Sequence, residues 1–356
     1  MLAARTAQRY GDSAVERFSR APSSSFGHGA AGIAWFLWRY GSLAGEPSAV
    51  ELAERWIALA EAGLADADAF VGAPPVFPDS RTAPSSSVLF GEAGVWWAGA
   101  LVHAAAGKLA AADRATGRFC ALAAGCPDDA LDVASGAAGL LLGAAALVER
   151  LGPSEPLVAA GDALARRLDG AAESTAWLGA AHGSCGVAHA GLRWCQATAR
   201  APGPALTALL DSLREARLAK GVWPRRRDGS EVWPGWCHGS AGWAQLWVLA
   251  AEVLGDIDLL ALAEPPAVHA LIQPGAGAGL CCGLSGQAYA GLAMYRATGE
   301  ATWLTHAQRL AADAAQAEPA PEYPAHSLWN GDVGAALLAL DVADPRRAAM
   351  PLYCTR

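Results

Sequence analysis

Three cysteines, an aspartate and two histidines stand beside glycine-rich steps where thiol and proton chemistry could meet. Cys237 and His238 lie in WCHGSAG, and Cys281 and Cys282 lie in LCCGLSG. Zinc prefers four tetrahedral ligands from thiolates and imidazoles, and a catalytic site leaves one position open. Cys237, Cys281 and Cys282 would fill the other three. Adjacent ligands are not the usual C-x-x-C spacing, so other readings stay open. The three could be buried packing cysteines, Cys281 and Cys282 could be bonded to each other, and His238 competes as a ligand or a neighbour of one.

Asp132 in LDVASGAAG and His182 in AAHGSCG supply a second pair. A carboxylate beside an imidazole favours the protonated ring and would hold it as a proton donor. Equally, Asp132 could cap a helix and His182 could bond a carbonyl. His28 and Asn330 occupy matching positions before their own glycine steps, and Trp233, Trp236 and Trp329 lie on turns where they could contact a peptide. The run Arg225-Arg226-Arg227, with Asp228 beside it, reads as a solvated loop, the alternative being a docking point for an acidic peptide segment. Cys120, Cys126, Cys185, Cys195 and Cys354 read as packing residues or bystanders.

What positions these residues is an internal repeat. A Gly-x-x-Gly step followed by an apolar, helix-forming run begins at Gly29, Gly91, Gly136, Gly183, Gly239, Gly283 and Gly331. The separations of 62, 45, 47, 56, 44 and 48 residues each have room for two helices. Intervening segments such as PSAVELAERWIALAEAG are amphipathic at helical spacing, whereas the glycine-led helices are apolar nearly all round. The glycine-led set should therefore form an inner ring and the amphipathic set an outer one. The first glycine is expected at positive φ; the second removes a side chain where backbones crowd. Helix N-termini then gather at one end, where free N–H groups could favour anions.

The 356 residues are 53% hydrophobic and 17% charged, which supports a large core and one all-α domain over 1–356. A net charge of −8 without a basic stripe argues against nucleic-acid binding. No signal-peptide pattern opens the chain and no apolar run reaches spanning length, so a cytoplasmic protein without a membrane span is expected. Eight cysteines in a chain this long, two of them adjacent, read as thiols and not as a disulfide framework. There is no DDxxD of the terpene cyclases; Asp128-Asp129 reads as a helix cap.

Taken jointly and in order, LDVASGAAG, AAHGSCG, WCHGSAG, LCCGLSG and SLWNGDVG resemble the LanC-like lanthionine cyclases, and the resemblance spans all seven repeats. It implies an α/α toroid of seven helical hairpins, with Cys237, Cys281 and Cys282 as zinc ligands, His182 as acid/base and Asp132 as its partner. Cys282 as third ligand rests on this resemblance. Many relatives carry His there, and stand-alone cyclases often carry Tyr where this chain has His238; both departures are similar to cyclase domains of fused synthetases. No dehydratase or kinase region precedes the first repeat, which leaves a free-standing cyclase or a domain of a larger synthetase.

The implied substrate is a dehydrated precursor peptide, with a dehydratase or kinase/lyase as a further partner. The implied reaction is addition of a peptide cysteine to dehydroalanine or dehydrobutyrine. Glutathione addition to dehydrated residues, or a non-catalytic zinc-containing peptide-binding protein, are the alternatives. Three thiolates leave zinc with a formal charge of −1, against zero for a Cys-Cys-His set, so a bound sulfur is more electron-rich. Wild type should therefore close several different rings faster than Cys282→His and with less selectivity; equal rates across those rings would count against this.

Overall fold

A computed structural model describes residues 1–11, 23–70, 85–169, 175–273, 275, 277–318 and 323–353. Among them are fourteen α-helices. In chain order these are α1 (Leu2–Arg9), α2 (Ala30–Ala44), α3 (Pro47–Gly63), α4 (Glu92–Ala105), α5 (Leu109–Ala124), α6 (Ala137–Leu151) and α7 (Glu155–Asp169). They continue as α8 (Ser184–Ala197), α9 (Pro204–Glu215), α10 (Ser240–Leu254), α11 (Leu260–Ile272), α12 (Leu284–Thr298), α13 (Ala301–Ala314) and α14 (Asp332–Asp341). The even-numbered helices follow the seven glycine steps and form the inner ring, in which α14 returns to α2. The odd-numbered helices form the outer ring. The architecture is the expected α/α toroid. No described helix is long and apolar enough to cross a membrane.

Burial follows the sequence pattern. On α6 every residue from Ala137 to Val148 is buried, whereas α3 buries only the stripe Ala49, Ala53, Trp56, Ile57 and Ala60. The seventh hairpin has an unexpected composition. Its outer helix does not follow α14 but is α1, from the other end of the chain. Asp332 on α14 pairs with Arg9 and accepts a hydrogen bond from the Tyr10 hydroxyl at 3.4 Å.

The glycine steps hold two departures from expectation. Their first glycines have φ between −141° and −95°, so none uses a left-handed conformation. Close approach is the reason instead. A Cβ on Gly136 would lie 2.3 Å from the Ala130 carbonyl oxygen, and one on Gly139 would lie 2.1 Å from that of Val133. The loop doubles back so that its own carbonyls reach the helix entrance. There Ala137 and Ala138 donate to Ala130 and Leu131 at 2.8 and 3.1 Å, and Ser240 and Ala241 donate likewise to Trp233 and Pro234. The N–H groups expected to await an anion are thus already satisfied by the chain itself.

Successive turns are joined by a closed belt of hydrogen bonds running through the residue two places before each first glycine. Gly27 donates to Leu89, Ala134 to Ala181, Ala181 to Cys237, Cys237 to Cys281, Cys281 to Trp329, and Trp329 back to Gly27, at 2.6–3.2 Å. Between the second and third turns the Ser87 hydroxyl donates to the Ala134 carbonyl at 2.6 Å.

A buried polar knot also ties the ring shut. Asp341 on α14 pairs with Arg39 of α2 at 3.3 Å and accepts from the Tyr289 hydroxyl of α12 at 2.7 Å and from the Ala349 N–H at 2.9 Å. Burial pushes the Asp341 carboxyl up, which these donors and Arg39 oppose. Asp341→Ala would leave a buried guanidinium short of its counter-charge, and should lower stability by about 3–5 kcal/mol in urea denaturation.

Candidate functional site

Each turn into an inner helix places the residue before its first glycine toward one end of the ring. Four places before that glycine, Ser25, Ser87, Asp132 and Ser327 accept a hydrogen bond from the N–H of that residue, at 2.7–3.2 Å. The equivalents in the other three turns are Gly179, Gly235 and Gly279, each packed on the following turn. A Cβ on Gly179 would lie 2.5 Å from the Cys237 carbonyl oxygen, and one on Gly235 would lie 2.9 Å from the Cys282 Cα. The turns carrying His182, Cys237 and Cys282 are therefore the most closely stacked.

Cys237, Cys281 and Cys282 meet as a cluster, with their sulfurs within 4.8 Å of one another. The Cys282 sulfur lies 2.9 Å from that of Cys237 and 3.5 Å from that of Cys281. Cys237 is buried and Cys282 is exposed at the cavity. All three thiols are free, so a bond between the neighbours is not the arrangement present. Hydrogen bonds from Cys237 and then Cys281 push the Cys282 thiol well down. Hydrogen bonding to Cys237 and Cys282, with burial, pushes Cys281 up. The cluster thus favours one thiolate on its own. A tetrahedral ion with metal–sulfur bonds of about 2.3 Å holds its sulfurs about 3.8 Å apart, so the Cys237–Cys282 pair would spread by about 1 Å to share one soft ion.

The His182 Nδ1 lies 2.7 Å from one carboxylate oxygen of Asp132, whose other oxygen accepts from the Ser135 N–H at 2.7 Å. Capping a turn and orienting the histidine are therefore both done by Asp132. The Nε2 of His182 is left for the cavity.

His238 stacks on His182, with ring centroids 5.3 Å apart and planes at 26°, and lies 5.0 Å from Trp177. Burial, then His182 and Arg225, lower its pKa to about 4, so the ring is neutral at neutral pH. Its Nδ1 has no hydrogen-bond partner among the described residues.

The remaining expected residues lie elsewhere. His28 is buried across the ring, where its Nε2 meets the Asn330 side chain at 2.9 Å and its ring stacks on Phe90. Burial lowers its pKa to about 4. Trp236 does not reach the cavity: it is fully buried behind Cys237, edge-on to Trp329 and Tyr353. Trp329 is buried too. Cys126 and Cys185 are buried, Cys120 and Cys195 half-buried, and Cys354 lies outside the described residues. Asp128 caps no helix; it pairs with Arg167 at 2.7 Å.

The basic run departs from the sequence reading as well. Arg225 is not a solvated loop residue: its guanidinium carbon lies 3.9 Å from the Trp233 ring centre and 4.9 Å from that of Trp177, and that of Arg226 also lies 4.9 Å from Trp177. The sequence signal was the 56-residue interval between the fourth and fifth glycine steps, longer than most, with Trp177 and Trp233 flanking those turns.

A family model described as lanthionine synthetase C-like protein matches residues 22–355. Among solved structures, one titled nisin cyclase superposes with a TM-score of 0.71 at 15% identity, covering 96% of this chain and 93% of that one. That likeness bears on the fold, and the toroid is common to both. With the family match extending over nearly the whole sequence, the chain belongs to the lanthionine synthetase C-like proteins.

Proposed function

We propose that the protein is a zinc-dependent lanthipeptide cyclase, acting on a precursor peptide whose Ser or Thr residues have been dehydrated. The observation that carries this reading is the placement of the thiol cluster and the Asp132–His182 pair on consecutive turns of one belt. The expected site residues Cys237, Cys281, Cys282, His182 and Asp132 fall on four adjacent turns, with His238 between the two groups.

Zinc held by Cys237, Cys281 and Cys282 would offer one open position at which a peptide thiol loses its proton near neutral pH. That thiolate adds to the β-carbon of the dehydro residue, and the alkene electrons move to the α-carbon and its carbonyl. His182 donates the proton that completes the α-carbon, from Nε2, because Asp132 engages Nδ1. Asp132 fixes the ring so that Nε2 faces the cavity. Neutral His238 packs on His182 and limits its rotation. One C–S bond and one C–H bond form, one S–H bond and one C=C π bond are lost, and mass is unchanged.

Metal analysis should find one zinc per wild-type chain and none in Cys237→Ala. Incubation with a dehydrated, cysteine-containing peptide, followed by thiol alkylation, should show fewer free thiols at constant peptide mass. Retention of every thiol would reject the cyclase reading, and a mass gain of one glutathione would support intermolecular addition instead. His182→Ala should slow closure about 10²- to 10⁴-fold. Asp132→Asn keeps an oxygen for the Ser135 N–H, so it should slow closure without a matching loss of stability.

A further inference from the structure

On the proposed reading the site gathers negative charge. Zinc held by Cys237, Cys281 and Cys282 as thiolates would carry a formal charge of −1, to which an incoming peptide thiolate would add beside the Asp132 carboxylate, while the N–H groups of the inner helices are spent on their own loops. An acidic residue beside the peptide cysteine would be repelled there unless a cation met it.

Such a cation stands on the rim. The backbone of Arg225 is fixed by hydrogen bonds on both sides: its carbonyl accepts from Leu178 at 3.1 Å, and its N–H donates to Glu231 at 2.8 Å. Next to it, Arg226 pairs with Trp177 in an isolated antiparallel bridge. Thus the long connection between the fourth and fifth glycine steps is stitched to the turn that carries His182. The guanidinium is clamped between the faces of Trp177 and Trp233, and the same two indoles flank His238 at 5.0 and 6.1 Å. Trp177, Trp233 and Arg225 are all partly exposed.

The charge partners of the rim are few. The Nε of Arg225 is buried with no hydrogen bond among the described residues, and its carboxylate partner Glu231 lies 3.5 Å away with a side chain 64% exposed. Glu231 also accepts from the Trp233 indole at 2.8 Å. Arg226 is taken by Asp228 at 3.1 Å, and Arg227 turns to Ser212 at 3.3 Å. A guanidinium packed over two indole rings uses its carbon and not its N–H groups in those contacts, and an N–H fork left over matches a carboxylate.

We propose that Trp177, Arg225 and Trp233 form a recognition wall that selects peptides carrying Asp or Glu close to the reacting cysteine, with Arg225 receiving the carboxylate in place of the loosely held Glu231. The proposal rests on the reading of the site as one that handles a peptide cysteine. Its test uses binding and not ring closure, so the two can fail separately.

The probes are fluorescein-labelled, undehydrated peptides with one cysteine flanked by Glu, Gln or Lys, measured by anisotropy against the full chain at low salt. Wild type should bind the Glu peptide about tenfold more tightly than the Gln peptide and bind the Lys peptide most weakly. Arg225→Gln should bring the Glu-to-Gln ratio close to one. Glu231→Gln, which removes the competing charge and keeps an oxygen for the Trp233 indole, should raise that ratio. Equal binding of Glu and Gln peptides by wild type, an unchanged ratio in Arg225→Gln, or a lowered ratio in Glu231→Gln would each overturn the proposal. If dehydrated forms of the same peptides keep their thiols while the Glu preference holds, the cyclase reading fails and the wall stands.

Discussion

Every turn that enters an inner helix hands a hydrogen bond to the next turn, and the seventh hands one back to the first. The other features of this end of the molecule follow from that circle. Turns that must touch through their backbones leave no room for side chains at certain points, hence the repeated glycines and the replacement of capping residues by Gly179, Gly235 and Gly279. Cys237 and Cys281 are themselves members of the belt, with N–H and carbonyl groups both engaged. Their positions are set by main-chain hydrogen bonds, and a thiol cluster held this way is preorganised for any ion it could hold.

Charge in this site comes from side chains alone. Seven helix N-termini converge on the cavity, a geometry that elsewhere favours anions. Here each is filled by carbonyls of its own loop. What remains to meet an anion there is His182, oriented by Asp132, and the rim cation Arg225. The neutral rings of His238 and His28 add shape without charge.

The repeat and the two concentric rings were legible in the sequence because each is periodic or compositional; Cys237 and Cys281 were candidates by their place in the register, and Cys282 joined them only through the family resemblance. Asp132 and His182 were legible as candidates once the register was set. The conformation of the glycines was not, because steric need for glycine looks the same in a sequence whether it arises from φ or from a neighbouring carbonyl. Nor was the fate of Trp236, since a turn residue can face the cavity or the core, and Tyr353, more than 100 positions away, covers it. Arg225 was misread for a related reason: its two indole partners lie on different turns, and only the fold brings them to it. The Asp341 knot and the partnership of α1 with α14 join opposite ends of the chain, a distance over which pattern carries no signal.

That last partnership bears on how the molecule is made. The outer helix of hairpin seven is the first helix described in the chain and its inner helix is the last, and the contact of Arg9 with Asp332 spans 323 positions. Synthesis from the N-terminus therefore produces an open arc whose first helix must wait, with the Ala3, Thr6 and Ala7 face uncovered, until α14 emerges. The belt, too, has two loose ends until Trp329 is added. Closure of the ring thus waits on α14, and a product cut before α14 would carry all three cysteines on a ring that never closed.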